Sequence, residues 1–498
     1  MANLKSLVKD TAIYGMSSIV GRFLNYLLVP LYTNVFPAEN GGYGVITNIY
    51  SYTALILPLL TFGMETTFFR YANDDKEKPD TVFSTTLAMV STLSILFLAF
   101  VFIFIDPIGV YTNYPNHHEY LLIMGTCVAI DSIQAIPFCY LRFKKRPIKF
   151  ALIKLLFIAM NVSLNVIYYI VLKKTEVYYV FAINLACTSL LTFFFIPELF
   201  SIKWKVDLRL LFRMFSYSWP IFILSVTAVL NQALDKIIFP WAYTLNGEND
   251  IESANSQLGI YGACVKIAMI MAMITQAFRF AYEPIVFAKS RDADSKEYYG
   301  VAMKYFIIFT LFAFLCVIGY LDILKFVIGE DYHEGLKVVP IVMAAEIMMG
   351  IYFNLSFWYK LIDKTYWGTI FSLMGCLVLA AVNIIFIPKY GYMACAWGGF
   401  SAYATAMTLC YIVGRFKNPI EYDLKSIGTY VLITALFFVA MQLSAYYVVS
   451  VPLRLVINTV LILLFVAHVI YHDLPLASLP VIGKYFRKKI EDPSQPSL

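Results

Sequence analysis

The chain has 498 residues, of which 60% are hydrophobic and only 14% charged. Soluble domains run nearer half apolar and a quarter charged, so this composition excludes a water-soluble enzyme, a disordered chain and a small disulfide scaffold, and points to many membrane crossings. The net charge of +6 comes from 38 Lys+Arg against 32 Asp+Glu. In a membrane protein the placement of those bases matters more than their sum, and no nucleic-acid partner is implied.

Fourteen apolar segments follow one another. The first six span 11–36, 43–69, 81–104, 120–140, 150–172 and 177–196. The next six span 214–242, 259–287, 305–327, 338–359, 366–388 and 392–414, and the last two 427–449 and 453–471. The first holds Arg22 and Asn25 and lacks a small-residue cleavage site, so it reads as a span rather than a leader. The connection with Arg142, Lys144, Lys145, Arg146 and Lys149 is strongly basic, whereas the loops at 37–42 and 244–257 carry no Lys or Arg. That bias puts both termini in the cytoplasm. The tail at 479–490 mixes apolar and basic residues; it reads as a solvated end, with a surface for an anionic inner leaflet as the alternative.

The eight cysteines lie in apolar runs without CxxC or Cys/His clusters, so neither a zinc site nor a disulfide frame is expected. There is no GxxxxGK[ST] and no long outer loop. An ATP-driven pump and a polymerase with a folded outer catalytic domain are therefore disfavoured.

Spans two and eight align without gaps from Gly41 and Gly259, with identities that include Tyr43/Tyr261, Gly44/Gly262, Phe62/Phe280 and Glu65/Glu283. Six spans separate the copies, so both run in one direction, as parallel repeats. The expected architecture is all-α and polytopic. It has two six-helix lobes, 1–200 and 201–415, followed by two further helices and a cytoplasmic tail in 416–498. Carriers of this design hold substrate between repeats and rock one half against the other.

Charges inside spans are costly and ordinarily face protein or water. Arg22 and Asp131 fall near mid-span, Asp235, Lys266 and Glu346 toward the outer side, and Glu65, Arg279 and Glu283 toward the inner side. Arg22, Lys266 and Arg279 are the candidate substrate cations, because guanidinium and ammonium groups suit phosphate oxygens. Glu65, Asp131, Asp235, Glu283 and Glu346 are the candidate coupling or gating carboxylates. Each has a structural alternative: Arg279 and Glu283 stand i,i+4 and can neutralise each other, Asp131 can serve as counter-ion to Arg22, and Lys154 is expected to snorkel to the cytoplasmic surface. Prolines at 30, 58, 137, 220, 240 and 284 punctuate the spans and mark the bending helices.

The stretch YGMSSIVGRFLNYLLVPLYTNVFPAENGGYGVITNIYSYTALILPLLTFGMETTFFRY and the run LNQALDKIIF resemble bacterial Wzx-type oligosaccharide flippases. These belong to the multidrug/oligosaccharidyl-lipid/polysaccharide (MOP) exporter superfamily. The resemblance implies a non-enzymatic carrier in the bacterial cytoplasmic (inner) membrane. It would move undecaprenyl-diphosphate-linked oligosaccharide from the cytoplasmic to the periplasmic leaflet by alternating access. It also implies coupling to H+ or Na+ with no other cofactor, membrane lipids as surroundings and the polysaccharide polymerase machinery as a partner; a monomer is expected because two lobes already enclose one pathway. The rival readings are a peptidoglycan-precursor (lipid II) flippase, a MATE-like drug or cation exporter, and a membrane polysaccharide polymerase or ligase.

Overall fold

The computed structural model describes residues 26–200, 203–247, 250–289, 295–362 and 364–473. Arg22, Asn25 and the basic tail lie outside the described residues, as does most of span one. Among the described residues every regular element is helical.

Span one is represented by its end, α1 (Leu28–Val35), and span two by α2 (Gly42–Thr61) and α3 (Met64–Ala72). The next four are α4 (Pro79–Ile103), α5 (His118–Phe143), α6 (Pro147–Val166) and α7 (Tyr178–Thr192). Then come α8 (Leu208–Tyr243), α9 (Ile251–Lys289), α10 (Ser295–Gly319) and α11 (Val339–Leu355). The last are α12 (Tyr366–Tyr390), α13 (Tyr392–Lys417), α14 (Leu424–Tyr447) and α15 (Val451–His472). Twelve segments among the described residues are long and apolar enough to cross a bilayer. The helix α13, at 26 residues, is long enough but falls outside that set, because Gly398, Gly399, Ser401, Thr405 and Thr408 dilute its hydropathy.

Span two is one apolar run in sequence but two helices in space. Phe62 and Gly63 both take left-handed backbone, at φ 49° and 69°. Glycine adopts that region without a Cβ penalty. The aligned position in span eight is Ala281, and α9 runs through it without a break. A Cβ at Gly63 would lie 3.1 Å from the Ser218 carbonyl oxygen. Gly63→Ala is therefore expected to destabilise the protein by about 1–2 kcal/mol, read as a lower melting temperature in detergent, while Gly399→Ala, facing open space, leaves it unchanged.

The chain forms two compact units, Met1–Met273 with Phe326–Gly414, and Ile274–Lys325 with Arg415–Leu498. In the first, α8 lies along α2 and α3 and also along α12. Asn48 Nδ2 donates to the Lys236 carbonyl at 2.7 Å, and Phe62 stacks on Phe215 and Phe222 at 4.7 and 4.3 Å. Farther along α12, Asn231 Nδ2 donates to the Ser372 carbonyl at 2.9 Å. The basic connection after α5 is pinned by a buried acid: Glu198 takes Arg146 at 3.2 Å and Lys149 at 2.7 Å.

In the second unit, α10, α14 and α15 pack as three helices. One end is tied by Lys304 to Asp423 at 3.2 Å and to Asp473. The Ser426 backbone N–H and the Lys304 ammonium hold the Asp423 carboxyl below the usual carboxylate range. The other end is tied by Arg454 to Asp322 at 3.0 Å, and between them Asn458 Nδ2 donates to the Gly319 carbonyl at 2.8 Å. The two last helices therefore dock on span nine.

Candidate functional site

Three charges from three helices are linked electrostatically through Lys154 inside the first half of the chain. Glu65 sits in the first turn of α3, just past the glycine break. Asp131 lies mid-way along α5 and Lys154 in the second turn of α6. Lys154 interacts electrostatically with Asp131 and Glu65, and its ammonium stands 4.0 Å from the centre of the Phe138 ring. Glu65 Oε2 takes the Cys139 thiol at 3.9 Å. Cys127 Sγ lies 3.9 Å from Asp131 Oδ2 and 3.6 Å from Thr188 Oγ1. Both carboxylates are crowded by protein atoms yet keep accessible surface.

The expectation that Lys154 snorkels is corrected: its ammonium lies against the Phe138 ring and interacts with Asp131 and Glu65. The reason is legible in α6, where Phe150, Ile158, Asn161 and Asn165 are buried and Lys154 falls on the same helical stripe. Other polar groups continue that interior. Tyr32 donates to Asn165 Oδ1 at 2.9 Å, Asn184 Nδ2 donates to the Tyr50 hydroxyl at 2.9 Å, and Gln134 Nε2 donates to the Thr188 carbonyl at 2.8 Å. Arg70, later in the same helix as Glu65, lies over the Tyr217 ring at 4.1 Å.

A second cluster gathers around α8. Asp235 is buried, accepts from the Tyr261 hydroxyl at 2.8 Å and pairs with the Lys236 ammonium at 3.0 Å. Glu346 on α11 interacts electrostatically with Lys236, and its Oε2 is buried without a hydrogen-bond partner. Lys266 on α9 interacts with Lys236 and has no ion-pair or hydrogen-bond partner among the described residues. Here the two lysines are matched by two carboxylates. In the other compact unit, Arg279 pairs with Glu283 at 3.5 Å, the i,i+4 arrangement the sequence allows. Arg22 lies outside the described residues.

The repeated glycines of spans two and eight meet each other. A Cβ on Gly259 would lie 3.0 Å from the Gly44 nitrogen, and one on Gly262 would lie 2.6 Å from Thr47 Oγ1. A Cβ on Gly44 would fall 1.8 Å from the Asn255 carbonyl oxygen. Two bonds join the repeats beside this crossing: Gly329 N–H donates to Thr33 Oγ1 at 2.9 Å, and Tyr332 donates to the Phe36 carbonyl at 2.7 Å. The YG motif, which the alignment found only as similarity, is a close helix crossing of the kind small residues permit.

The helix order and the long apolar spans define a polytopic, all-helical membrane protein. The family model described as "Polysaccharide biosynthesis protein" matches residues 37–337, and the chain belongs to that family. It is a multi-pass protein of the bacterial inner membrane. The fold is similar to the solved lipid II flippase MurJ in an inward closed conformation, with a TM-score of 0.70 at 16% identity over 93% of this chain and 99% of that one. It is similar to an inward-facing multidrug resistance MATE family transporter, with a TM-score of 0.60 at 14% identity over 82% of this chain and 94% of that one. It is also similar to the MATE multidrug transporter DinF-BH, with a TM-score of 0.59 at 15% identity over 83% of this chain and 96% of that one. None of the curated proteins matches this sequence.

Proposed function

We propose that the protein is a flippase that carries an undecaprenyl-diphosphate-linked oligosaccharide from the cytoplasmic to the periplasmic leaflet, and that it is a carrier rather than an enzyme. Membership of a polysaccharide-biosynthesis family supports the glycan substrate. The single observation that carries the mechanism is the accessible Glu65–Lys154–Asp131 cluster within the membrane spans. Lys154 supplies a point charge for the diphosphate oxygens. Glu65 and Asp131 compete for the same ammonium, so they hold it when the diphosphate is gone and are the places where a coupling H+ or Na+ exchanges. The anionic headgroup moves outward down an inside-negative potential, at about 2.3 kcal/mol per charge per 100 mV. The lobes 1–200 and 201–415 rock about the Gly44–Gly259 crossing, which faces the periplasm in the orientation set by the basic loops.

Lipid II is the second reading, favoured by the similarity to a MurJ structure. Proteoliposomes loaded with fluorescent undecaprenyl-diphosphate oligosaccharide on one leaflet test both readings. Appearance of label at the opposite leaflet, faster under an imposed potential and unaffected by excess lipid II, is the expected result. Competition by lipid II at equal concentration would favour the second reading, and no transfer of either lipid would overturn the flippase assignment.

A further inference from the structure

At the end of the first unit that carries the closed glycine crossing, a recess of about 700 Å³ opens to solvent. Its wall is built by the end of α8 and its loop (Tyr243, Asn246), by Gln257 on α9 and by the turn between α12 and α13 (Lys389, Tyr390, Gly391). Gly391 takes φ 55° with ψ −138°, a backbone that side chains rarely adopt, and a Cβ there would lie 2.9 Å from Gln257 Oε1. Glycine at this point keeps both the turn and the recess. The side-chain amides of Asn246 and Gln257 make no hydrogen bond among the described residues. The Lys389 ammonium lies 5.4 Å from the Tyr390 ring centre and has no carboxylate partner among them.

Two tyrosine rings, two amides and one unpaired ammonium around an open hollow match one ligand chemistry closely. Sugar rings offer C–H faces to aromatic rings and vicinal hydroxyl pairs to amides, which donate and accept at once. An ammonium adds a charge-assisted bond to a sugar carboxylate. The volume suits a few sugar residues. We propose that this recess is a saccharide subsite that takes a uronate-bearing oligosaccharide beside the glycine crossing. The proposal rests on the flippase reading only for the source of the glycan, which would be the headgroup just delivered.

The test uses the full chain in lipid nanodiscs and saturation-transfer NMR with trigalacturonate, cellotriose and inorganic phosphate as probes. Trigalacturonate is expected to bind, with about tenfold loss of affinity in Lys389→Ala and in Tyr390→Ala, and complete loss in Gly391→Val. Cellotriose is expected to bind more weakly and to be indifferent to Lys389→Ala. The proposal is overturned if neither saccharide binds the wild-type protein, if the variants bind as it does, or if phosphate alone displaces trigalacturonate, which would make the recess an anion site. Transport measured on the same purified proteins in proteoliposomes separates the two readings. Binding without any lipid transfer would leave the subsite standing and remove the flippase. Transfer without binding would do the reverse.

Discussion

Lys154→Met is expected to lower lipid-linked oligosaccharide transport by about 30- to 100-fold. Removing the charge that interacts with both acids costs less than breaking a buried ion pair, for which the loss is about 3–5 kcal/mol. The accessible surface of Asp131 and Glu65 lets water offset part of that, and about 2–3 kcal/mol remains, at about 1.4 kcal/mol per tenfold. Two effects are combined in that loss, because the variant leaves Glu65 and Asp131 without their shared cation and also removes the cation meant for the diphosphate. The triple variant Glu65→Gln/Asp131→Asn/Lys154→Met separates them. With no uncompensated charge left, it is expected to regain the wild-type melting temperature while transport stays as low as in Lys154→Met. Recovery of transport together with stability would show Lys154 to be a structural counter-ion only. Initial rates in proteoliposomes and melting curves in detergent decide between these outcomes.

Gly44→Val is expected to hold the glycine crossing open. A Cβ at this position would lie 1.8 Å from the Asn255 carbonyl oxygen, so α2 and α9 must part by about 1 Å or more to reach ordinary contact. Overpacking of this kind costs about 1–3 kcal/mol, enough to move the closed population by about tenfold. A reporter lies one helical turn below: Asn48 is fully buried, held by the Lys236 carbonyl and by the Tyr114 hydroxyl at 3.0 Å. With the native cysteines replaced, Asn48→Cys is expected to react slowly with an impermeant maleimide in the parent and about tenfold faster when Gly44→Val is added. Gly399→Val, which meets open space, is the matched control. Equal labelling with and without Gly44→Val, together with normal transport, would remove the crossing as a gate.

Much of the fold was legible because the membrane imposes a simple code. Twelve of the spans from the second onward were found by length and apolarity, although the ninth runs Ser295–Gly319, about ten residues earlier than expected, and the eighth begins at Ile251. The parallel repeat was legible as the matched Gly44/Gly262 and Tyr43/Tyr261, although similarity alone gave no hint that the two copies touch. The break in span two was not found, because Gly63 sits in an unbroken apolar run and Pro58 drew attention one turn too early. The docking of the last two helices on span nine was also out of reach. It depends on partners such as Lys304 with Asp473 and Arg454 with Asp322, which are far apart in the chain. In the site, depth alone singled out Glu65 and Asp131, and both interact electrostatically with Lys154. Depth misassigned Lys154, since a lysine two turns inside the membrane reads equally as snorkelling outward or facing inward. The asparagines at 161 and 165 on the same stripe were the signal that could have decided it.

The most direct test of the central claim is solvent access at the charge cluster. Asp131→Cys, in a background without other cysteines, is treated with an impermeant cationic thiosulfonate in nanodiscs, with and without undecaprenyl-diphosphate oligosaccharide. The account predicts rapid labelling that the lipid-linked oligosaccharide suppresses and undecaprenol does not. A thiol that reacts only with membrane-permeant reagents, or one whose labelling the substrate leaves unchanged, would contradict it.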